Sequence, residues 1–151
     1  MTDALYPREF KTVDGRVLVI DRARLEDLEE IYDFIQQHFI AKNPNLYLIP
    51  YIEERSESFR PFLTGYITLL ISQSVSLTVR DPSADGRLAA VRMNRIEHRN
   101  DPKEESTEES SQDELIIFAL LGALNDGINL FDLYNTDKIL HLAMVAVSND
   151  H

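Results

Sequence analysis

The side chains able to do chemistry are scattered along this chain and form no complete catalytic motif. There are four histidines and no cysteine, so a cysteine nucleophile, a thiolate metal site and a disulfide are all excluded. His38, His98, His141 and His151 lack the H-E-x-x-H spacing that places two metal ligands on one helix face. The sequence therefore predicts no metal site, and it predicts that His141, inside an apolar run, is a core residue.

Two pairs of adjacent carboxylates are the other candidates for acid–base chemistry. Glu29–Glu30 and Glu53–Glu54 each fall in a predicted helix, where neighbours in sequence point in different directions. Each pair therefore favours a solvated helix face over a catalytic dyad. His38 lies near the end of the first predicted helix and is a candidate substrate contact.

The charge distribution excludes one class of partner. The formal net charge is −11, and the segment from Asp101 to Glu114 contains seven acidic residues against one base, Lys103. A protein that binds nucleic-acid phosphates needs a basic face, which this sequence does not supply. We therefore expect no nucleic-acid partner.

No segment has the features of a membrane span or a secretory signal. The longest apolar run, Leu115 to Leu124, is shorter than the roughly 20 residues that cross a bilayer. The N-terminus, Met1 to Leu5, lacks the basic start and long apolar core of a signal peptide. The sequence therefore predicts a cytoplasmic protein without membrane contact.

The elements that must position these residues follow from hydrophobic periodicity. Apolar side chains recur with helical spacing from Leu25 to Ile40 and alternate with polar ones from Ser74 to Arg80, which predicts a helix and a half-buried strand. The whole chain reads β-α-α-β-β-α-β, with elements at 16–20, 25–40, 52–72, 74–80, 88–95, 113–134 and 138–147. This pattern predicts an α/β fold with a mixed, largely antiparallel sheet and flanking helices, in a single domain at 1–151.

Two further segments have a distinctive composition. Residues 100–112 are polar, acidic and rich in serine, so they bury too little apolar surface to offset the entropy of ordering. We predict a flexible insertion there. The run from Ile139 to Val147 is apolar on both faces, which is typical of a central strand covered on both sides.

The order of these segments resembles the first half of the GNAT superfamily of N-acetyltransferases. Residues 20–28, IDRARLEDL, resemble the family's first strand entering helix one, residues 86–92, GRLAAVR, resemble its hairpin, and residues 142–148, LAMVAVS, resemble its fourth strand. The exit from helix one, with an aromatic and a proline within 38–44, is similar to the arylalkylamine N-acetyltransferase-like proteins of invertebrates. The resemblance covers Arg16 to His151 and rests on the ordered set of segments.

The resemblance implies that acetyl-CoA is the co-substrate and that the family's fourth strand orients it. Backbone groups of Met144, Val145, Ala146 and Val147 would pair with the pantetheine arm like an added strand. The family's phosphate loop, of the R/Q-x-x-G-x-G/A kind, would follow His151, so we expect a chain truncated before that loop. Residues 1–151 alone are then expected to be inactive, with acetyl-CoA bound only by a completed domain.

The resemblance also places an acceptor loop for a small amine after helix one. Asn43, Tyr47 and Tyr51 are the candidate substrate-binding residues, although plain packing is the competing interpretation for the two tyrosines. The arylalkylamine branch commonly has an acid where this chain has Asn43, and an amide cannot take a proton at neutral pH. The general base is therefore elsewhere, with Glu53 and Glu54 nearby in sequence, or the chemistry is compromised.

Two functions stay open at this point. The first is an N-acetyltransferase domain, whose complete form transfers an acetyl group from acetyl-CoA to a small amine. The second is a non-catalytic binding or regulatory module. Such a module would pair the open edge of its last strand with a partner or with a second copy, as exposed strand edges tend to do. The sequence identifies no catalytic residue.

Overall fold

The computed structural model of the chain describes residues 5–42, 56–102, 123 and 127–150. Its strands are β1 (Arg8–Lys11), β2 (Val17–Arg22), β3 (Leu77–Asp81), β4 (Arg87–His98) and β5 (Lys138–Val147). Its helices are α1 (Leu28–His38), α2 (Ser56–Ser72) and the short α3 (Leu130–Leu133), with 3₁₀ turns at Leu25–Asp27, Ile40–Lys42 and Pro82–Ala84. The residues group into two units, 1–95 with 141–151, and 96–140.

The five strands form one sheet in sequence order, β1-β2-β3-β4-β5. The β1–β2, β2–β3 and β3–β4 pairs are antiparallel. β5 also runs antiparallel to β4, because the N–H of Ser148, just past the end of β5, donates to the carbonyl of Ala89 near the start of β4 (2.9 Å). The predicted fold class, a largely antiparallel sheet with flanking helices, is confirmed.

The β3–β4 hairpin is closed by a 3₁₀ turn that the Asp81 side chain caps. The Asp81 carboxylate accepts hydrogen bonds from the N–H (2.8 Å) and the hydroxyl (2.6 Å) of Ser83. Asp85 and Gly86 then take positive φ angles of 56° and 71°, which return the chain into β4. This turn therefore fixes where β4 begins, and β4 is the strand to which β5 is bonded.

One face of the sheet packs against α1 and α2 to form the hydrophobic core. Ile31, Tyr32 and Ile35 of α1 lie in this core, in agreement with the predicted helical stripe. Ile67 and Leu70 of α2 are fully buried in the same cluster. The sheet contributes Leu88, Val91, Met93, Met144 and Ala146. The core therefore holds the end of β5 in place.

Arg80 joins β3 to the beginning of α1. Its guanidinium donates to both carboxylate oxygens of Glu30 (3.1 and 2.7 Å), to Asp27 (3.0 Å) and to the Gly86 carbonyl (2.9 Å). The hydrogen bonds to Glu30 are the main cause that raises the pKa of Arg80, while partial burial acts in the opposite direction and Asp27 contributes a smaller increase. The arginine thus remains charged and ties α1 to the sheet.

We expect Arg80→Met to lower the free energy of unfolding by about 1–3 kcal/mol, because hydrogen bonds to charged groups are lost and Asp27 and Glu30 lose their cation. Urea unfolding followed by circular dichroism measures the change. Arg24→Met is the matched control, since the ion pairs of Arg24 involve an exposed side chain and are worth at most about 1 kcal/mol. Equal losses in the two variants would contradict the stabilising role of Arg80.

Within residues 96–140, Arg99 ties the end of β4 to the segment around α3. Its guanidinium donates to the carboxylates of Asp132 and Asp137, the second at 3.0 Å. It also donates to the carbonyls of Phe131 (2.9 Å) and Thr136 (3.1 Å). One side chain therefore holds both ends of the connection from α3 to β5.

Several boundaries differ from the predicted ones for identifiable reasons. Hydrophobic periodicity does not predict β1, because all four of its residues are exposed. The strand predicted from Ser74 begins only at Leu77, since Ser74 takes a positive φ of 57° and its N–H closes the last turn of α2 on the Ile71 carbonyl. Within the described part of the chain β5 lies at the edge of the sheet and exposes Leu140, Leu142, Val145 and Val147, so the expected central strand covered on both faces is not found there. His141 on β5 is exposed and is not a core residue.

The predicted insertion at 100–112 and the predicted helix at 113–134 fall mostly outside the described residues. Of the first, only 100–102 are described, and of the second, only 123 and 127–134. Leu130–Leu133 are helical, as α3. The flexible insertion and the single domain at 1–151 therefore stay predictions.

Candidate functional site

The last four residues of β5 are the predicted acetyl-CoA contacts, and their side chains point alternately to opposite faces of the sheet. Met144 and Ala146 are 6% and 2% exposed and lie in the core with α1 and α2. Val145 and Val147 are 45% and 48% exposed. Because the alternation is regular, β5 contains no bulge between Met144 and Val147.

The same alternation decides which backbone groups of β5 a ligand can reach. The Ser148 N–H points to β4, where it donates to a carbonyl (2.9 Å). In an antiparallel strand the N–H and C=O of one residue face the same neighbour, and those of the next residue face the opposite side. The backbone groups of Met144 and Ala146 therefore face β4, while those of Val145 and Val147 face away from it.

The edge of β5 that faces away from β4 is the candidate binding surface. Over the described ranges no strand lies beyond β5 in the sheet. Val145 and Val147 each present one N–H donor and one carbonyl acceptor at this edge. An extended ligand can add to such an edge as a further strand through backbone hydrogen bonds. A chain containing amides has the donors and acceptors that this geometry requires.

A cavity of about 510 Å³ lies beside Val147. Its lining is mainly apolar and includes Phe10, while Thr12, Asp14 and Arg16 of the β1–β2 turn also line it. The hydrogen bond from Thr12 is the main cause that lowers the pKa of Asp14, and the ion pair with Arg16 (2.8 Å) lowers it further. The volume falls within the range of about 300–1,000 Å³ that is typical of small-molecule sites. Apart from Val147, the lining residues belong to β1 to β4 and the β1–β2 turn, so the cavity lies over the sheet and not along the outer edge of β5.

A polar cluster lies where the chain leaves β5. Lys42, in the 3₁₀ turn after α1, donates to the side-chain oxygen of Asn149 and lies 3.2 Å from Nδ1 of His38. The pKa of His38 is lowered mainly by burial and further by the charge of Lys42. The charge of Asp150 raises it by a smaller amount. His38 is therefore neutral at neutral pH, and its Nδ1 accepts from Lys42. Its Nε2 then carries the proton, so the ring offers a donor and not a base.

The predicted amine-contacting residues cannot be placed relative to this edge. Asn43, Tyr47 and Tyr51 lie at 43–55, outside the described residues, and so do Glu53 and Glu54. Their contacts with a substrate stay predictions. His38 is the predicted substrate candidate that the structure does bring to the end of β5, through Lys42.

Lys42 is the residue of this cluster that sequence reasoning missed. Its relation to His38 is a spacing of four residues, which is readable once the helix is assigned. Its contact with Asn149 joins residues 107 positions apart, for which the sequence holds no local signal.

The part of the chain that the structure describes holds no group of three or more His, Asp or Glu side chains arranged to bind a metal ion. Over the same residues, none of the helices combines the length and the apolar character needed to cross a membrane.

Several solved structures share the fold of this chain. Arylalkylamine N-acetyltransferase 2 from Aedes aegypti has a TM-score of 0.68 at 25% identity, covering 88% of this chain and 62% of that one. Mosquito arylalkylamine N-acetyltransferase-like 5b has a TM-score of 0.71 at 20% identity, covering 89% and 62%. Drosophila melanogaster polyamine N-acetyltransferase, which catalyses the formation of N-acetylagmatine, has a TM-score of 0.67 at 14% identity, covering 88% and 61%. No protein-family model and no curated protein matches the chain.

These similarities cover most of this chain but a smaller part of its structural relatives. The chain spans 62% of the length of the Aedes enzyme and 61% of the Drosophila enzyme. β5 contains residues 142–147 of the segment that resembles the family's fourth strand, and β1 precedes the strand that resembles its first. The chain therefore has the fold of the GNAT N-acetyltransferases, and the solved structures that it resembles include insect arylalkylamine and polyamine N-acetyltransferases.

Proposed function

We propose that this protein transfers an acetyl group from acetyl-CoA to a small amine. One fold hosts many activities, so the shared fold by itself is only the first support. The observation that carries the proposal is the edge of β5, where Val145 and Val147 turn their backbone groups away from β4. This edge occupies the strand that orients acetyl-CoA in the family that the sequence resembles.

The proposed donor fits this edge by its chemistry. The pantetheine arm of acetyl-CoA is an extended chain with amide groups, which can alternate donors and acceptors with Val145 and Val147 as a short added strand. The exposed side chains of these valines add apolar contact. The proposed contacts of Met144 and Ala146 are indirect, because their backbone groups face β4.

In the proposed reaction, the amine nitrogen forms a bond with the acetyl carbon and the carbon–sulfur bond breaks. Coenzyme A leaves as the thiolate, and the amine loses one proton. The edge of β5 contributes by holding the thioester in one orientation for attack, since positioning converts a bimolecular step into an effectively unimolecular one. His38 is not placed to take the proton, because its Nδ1 accepts from Lys42, so we assign the proton to a water molecule.

The net charge of the chain supports an amine as the acceptor. A charge of −11 creates a negative potential that attracts cations. Small amines are mostly protonated at neutral pH, and they release a proton before they attack. The same potential repels the phosphates of the donor, so cations near the end of β5 gain importance.

The experiment that tests the proposal is an acetyl-transfer assay on the full natural polypeptide. Release of coenzyme A is followed with a thiol reagent, to which residues 1–151 add no background because they contain no cysteine; a reaction without the amine gives the blank for the rest of the polypeptide. An arylalkylamine and agmatine serve as acceptors, and mass spectrometry identifies the acetylated product. We expect turnover with at least one amine, and the absence of both turnover and acetyl-CoA binding would overturn the proposal.

The alternative, a non-catalytic module, is favoured by the apolar side chains that β5 exposes. Leu140, Leu142, Val145 and Val147 are all exposed large hydrophobic residues on this strand. A second copy or a partner strand could cover them and pair with the open edge. Sedimentation velocity over a range of concentrations separates the two functions. A dimer that dissociates when acetyl-CoA is added would mean that both use the same edge, and a dimer indifferent to acetyl-CoA would favour the module.

Two further expectations belong to this proposal and stay predictions. They are the inactivity of residues 1–151 alone and the cytoplasmic location. An activity assay that compares residues 1–151 with the full natural polypeptide tests the first, and fractionation of the source cells tests the second.

A further inference from the structure

Two basic side chains hold the segment that follows β5. Lys42 donates to the side chain of Asn149, and Arg16 donates to the carbonyl of Asp150 (2.9 Å). Lys42 belongs to the 3₁₀ turn after α1, and Arg16 lies in the β1–β2 turn. Residues far apart in sequence therefore converge on the point where the chain leaves Val147.

The surroundings of Lys42 favour a fixed position for its ammonium group. Nδ1 of His38, one helical turn earlier, lies 3.2 Å away and accepts from it. The His38 ring packs against Phe34, with ring centroids 4.5 Å apart. With Asn149 and His38 as two partners, the long lysine side chain is held between α1 and the exit from β5.

We propose that Lys42 is a positioning residue for the acetyl donor, which acts by fixing the path of the chain beyond Val147. The inference rests on the proposed function, because the edge at Val145 and Val147 is where the donor would pair. If the bridge from Lys42 to Asn149 is lost, the end of β5 is released and the edge loses its fixed geometry. Lys42 need not contact the donor to have this effect.

The bridge depends on pH through His38. Among the described residues, the charged groups that act on this imidazole are Lys42 and Asp150, and Arg16 in turn donates to the Asp150 carbonyl. Protonated His38 cannot accept from an ammonium group and repels it instead. Since the pKa of His38 lies below its ordinary value of 6.5, the bridge is intact at neutral pH and weakens only as the pH falls below that value.

The test compares Lys42→Met and Lys42→Arg with Lys11→Met in the full natural polypeptide. Lys11→Met is the matched control, because it removes the same charge from an exposed position on β1, at the opposite edge of the sheet. We expect Lys42→Met to raise the KM and the Kd for acetyl-CoA by about tenfold, the scale of a lost charge-assisted hydrogen bond, with kcat nearly unchanged. Lys42→Arg should recover most of the loss, and Lys11→Met should behave as wild type.

Two further readouts separate positioning from a general loss of stability. Hydrogen exchange at the amides of Asn149 and Asp150 should accelerate in Lys42→Met and not in Lys11→Met. The wild-type KM for acetyl-CoA should stay constant from about pH 8 down to 6.5 and rise as the pH falls from there to about 5, whereas Lys42→Met should show a flatter profile. If wild type binds acetyl-CoA and Lys42→Met has the same KM, this inference is overturned and the proposed function stands. If wild type does not bind acetyl-CoA, both are overturned.

Discussion

Replacing Val145 by proline should weaken acetyl-CoA binding by about tenfold or more and leave the fold intact. Proline removes the Val145 N–H, which faces the open edge, and leaves the hydrogen bonds between β5 and β4 in place. A carbonyl of acetyl-CoA that loses the N–H it accepts from costs about 1–3 kcal/mol of binding free energy. About 1.4 kcal/mol corresponds to a tenfold change in Kd. Isothermal titration of acetyl-CoA into each variant measures the change.

The matched control for this prediction is Val145→Ala, which keeps the N–H and shortens the side chain. It should bind acetyl-CoA within about threefold of wild type, as an exposed substitution. Val147→Pro is a second test at the same edge. Proline variants that bind as wild type, with unchanged circular dichroism, would show that the donor does not pair with this edge. Equal losses in Val145→Pro and Val145→Ala would show that the side chain, and not the backbone, makes the contact.

Replacing Met144 by alanine should lower the free energy of unfolding by about 2–5 kcal/mol. The Met144 side chain is 6% exposed and lies in the core with residues of α1 and α2. Its truncation removes apolar contacts and leaves a cavity that the surrounding side chains fill only in part. Urea unfolding monitored by circular dichroism gives the value.

The comparison for this second prediction is the adjacent residue on the opposite face of the strand. Val145→Ala should cost less than about 1 kcal/mol, because Val145 is 45% exposed. Met144→Ala should bind acetyl-CoA well at temperatures where it remains folded, since it does not alter the groups at the edge. The reverse pattern, with Val145→Ala the more destabilised, would show that β5 presents its other face to the core and would move the proposed contacts to Met144 and Ala146.

Much of the element order was readable from the sequence because it depends on local periodicity. The stripe at Ile31, Tyr32 and Ile35 requires only that residues three and four apart share a helix face, and all three are buried. The alternation around Thr78 similarly predicts a strand, and β3 is found there. These patterns depend on residues that are close together in the sequence, so they need no distant partner.

Other features of the fold could not be predicted because they leave no local pattern in the sequence. β1 is an exposed edge strand, and its pairing with β2 supplies the order that its side chains do not. The apolar run from Ile139 to Val147 looks the same whether neighbouring elements cover one face or both. The expectation of a central strand therefore failed, although the bounds Lys138–Val147 were predicted correctly.

The sequence by itself determined strands β2 to β5, helices α1 and α2, the apolar stripes and the resemblance that points to acetyl transfer. Only the tertiary structure decided that Val145 and Val147, and not Met144 and Ala146, turn their backbone groups to the open edge, since the pairing of β5 with β4 fixes this choice. Only the tertiary structure placed Lys42 beside Asn149, which lies 107 positions away in the sequence. The physical reason is the same in both cases: strand pairing and long-range contacts depend on which surfaces meet once the core has formed.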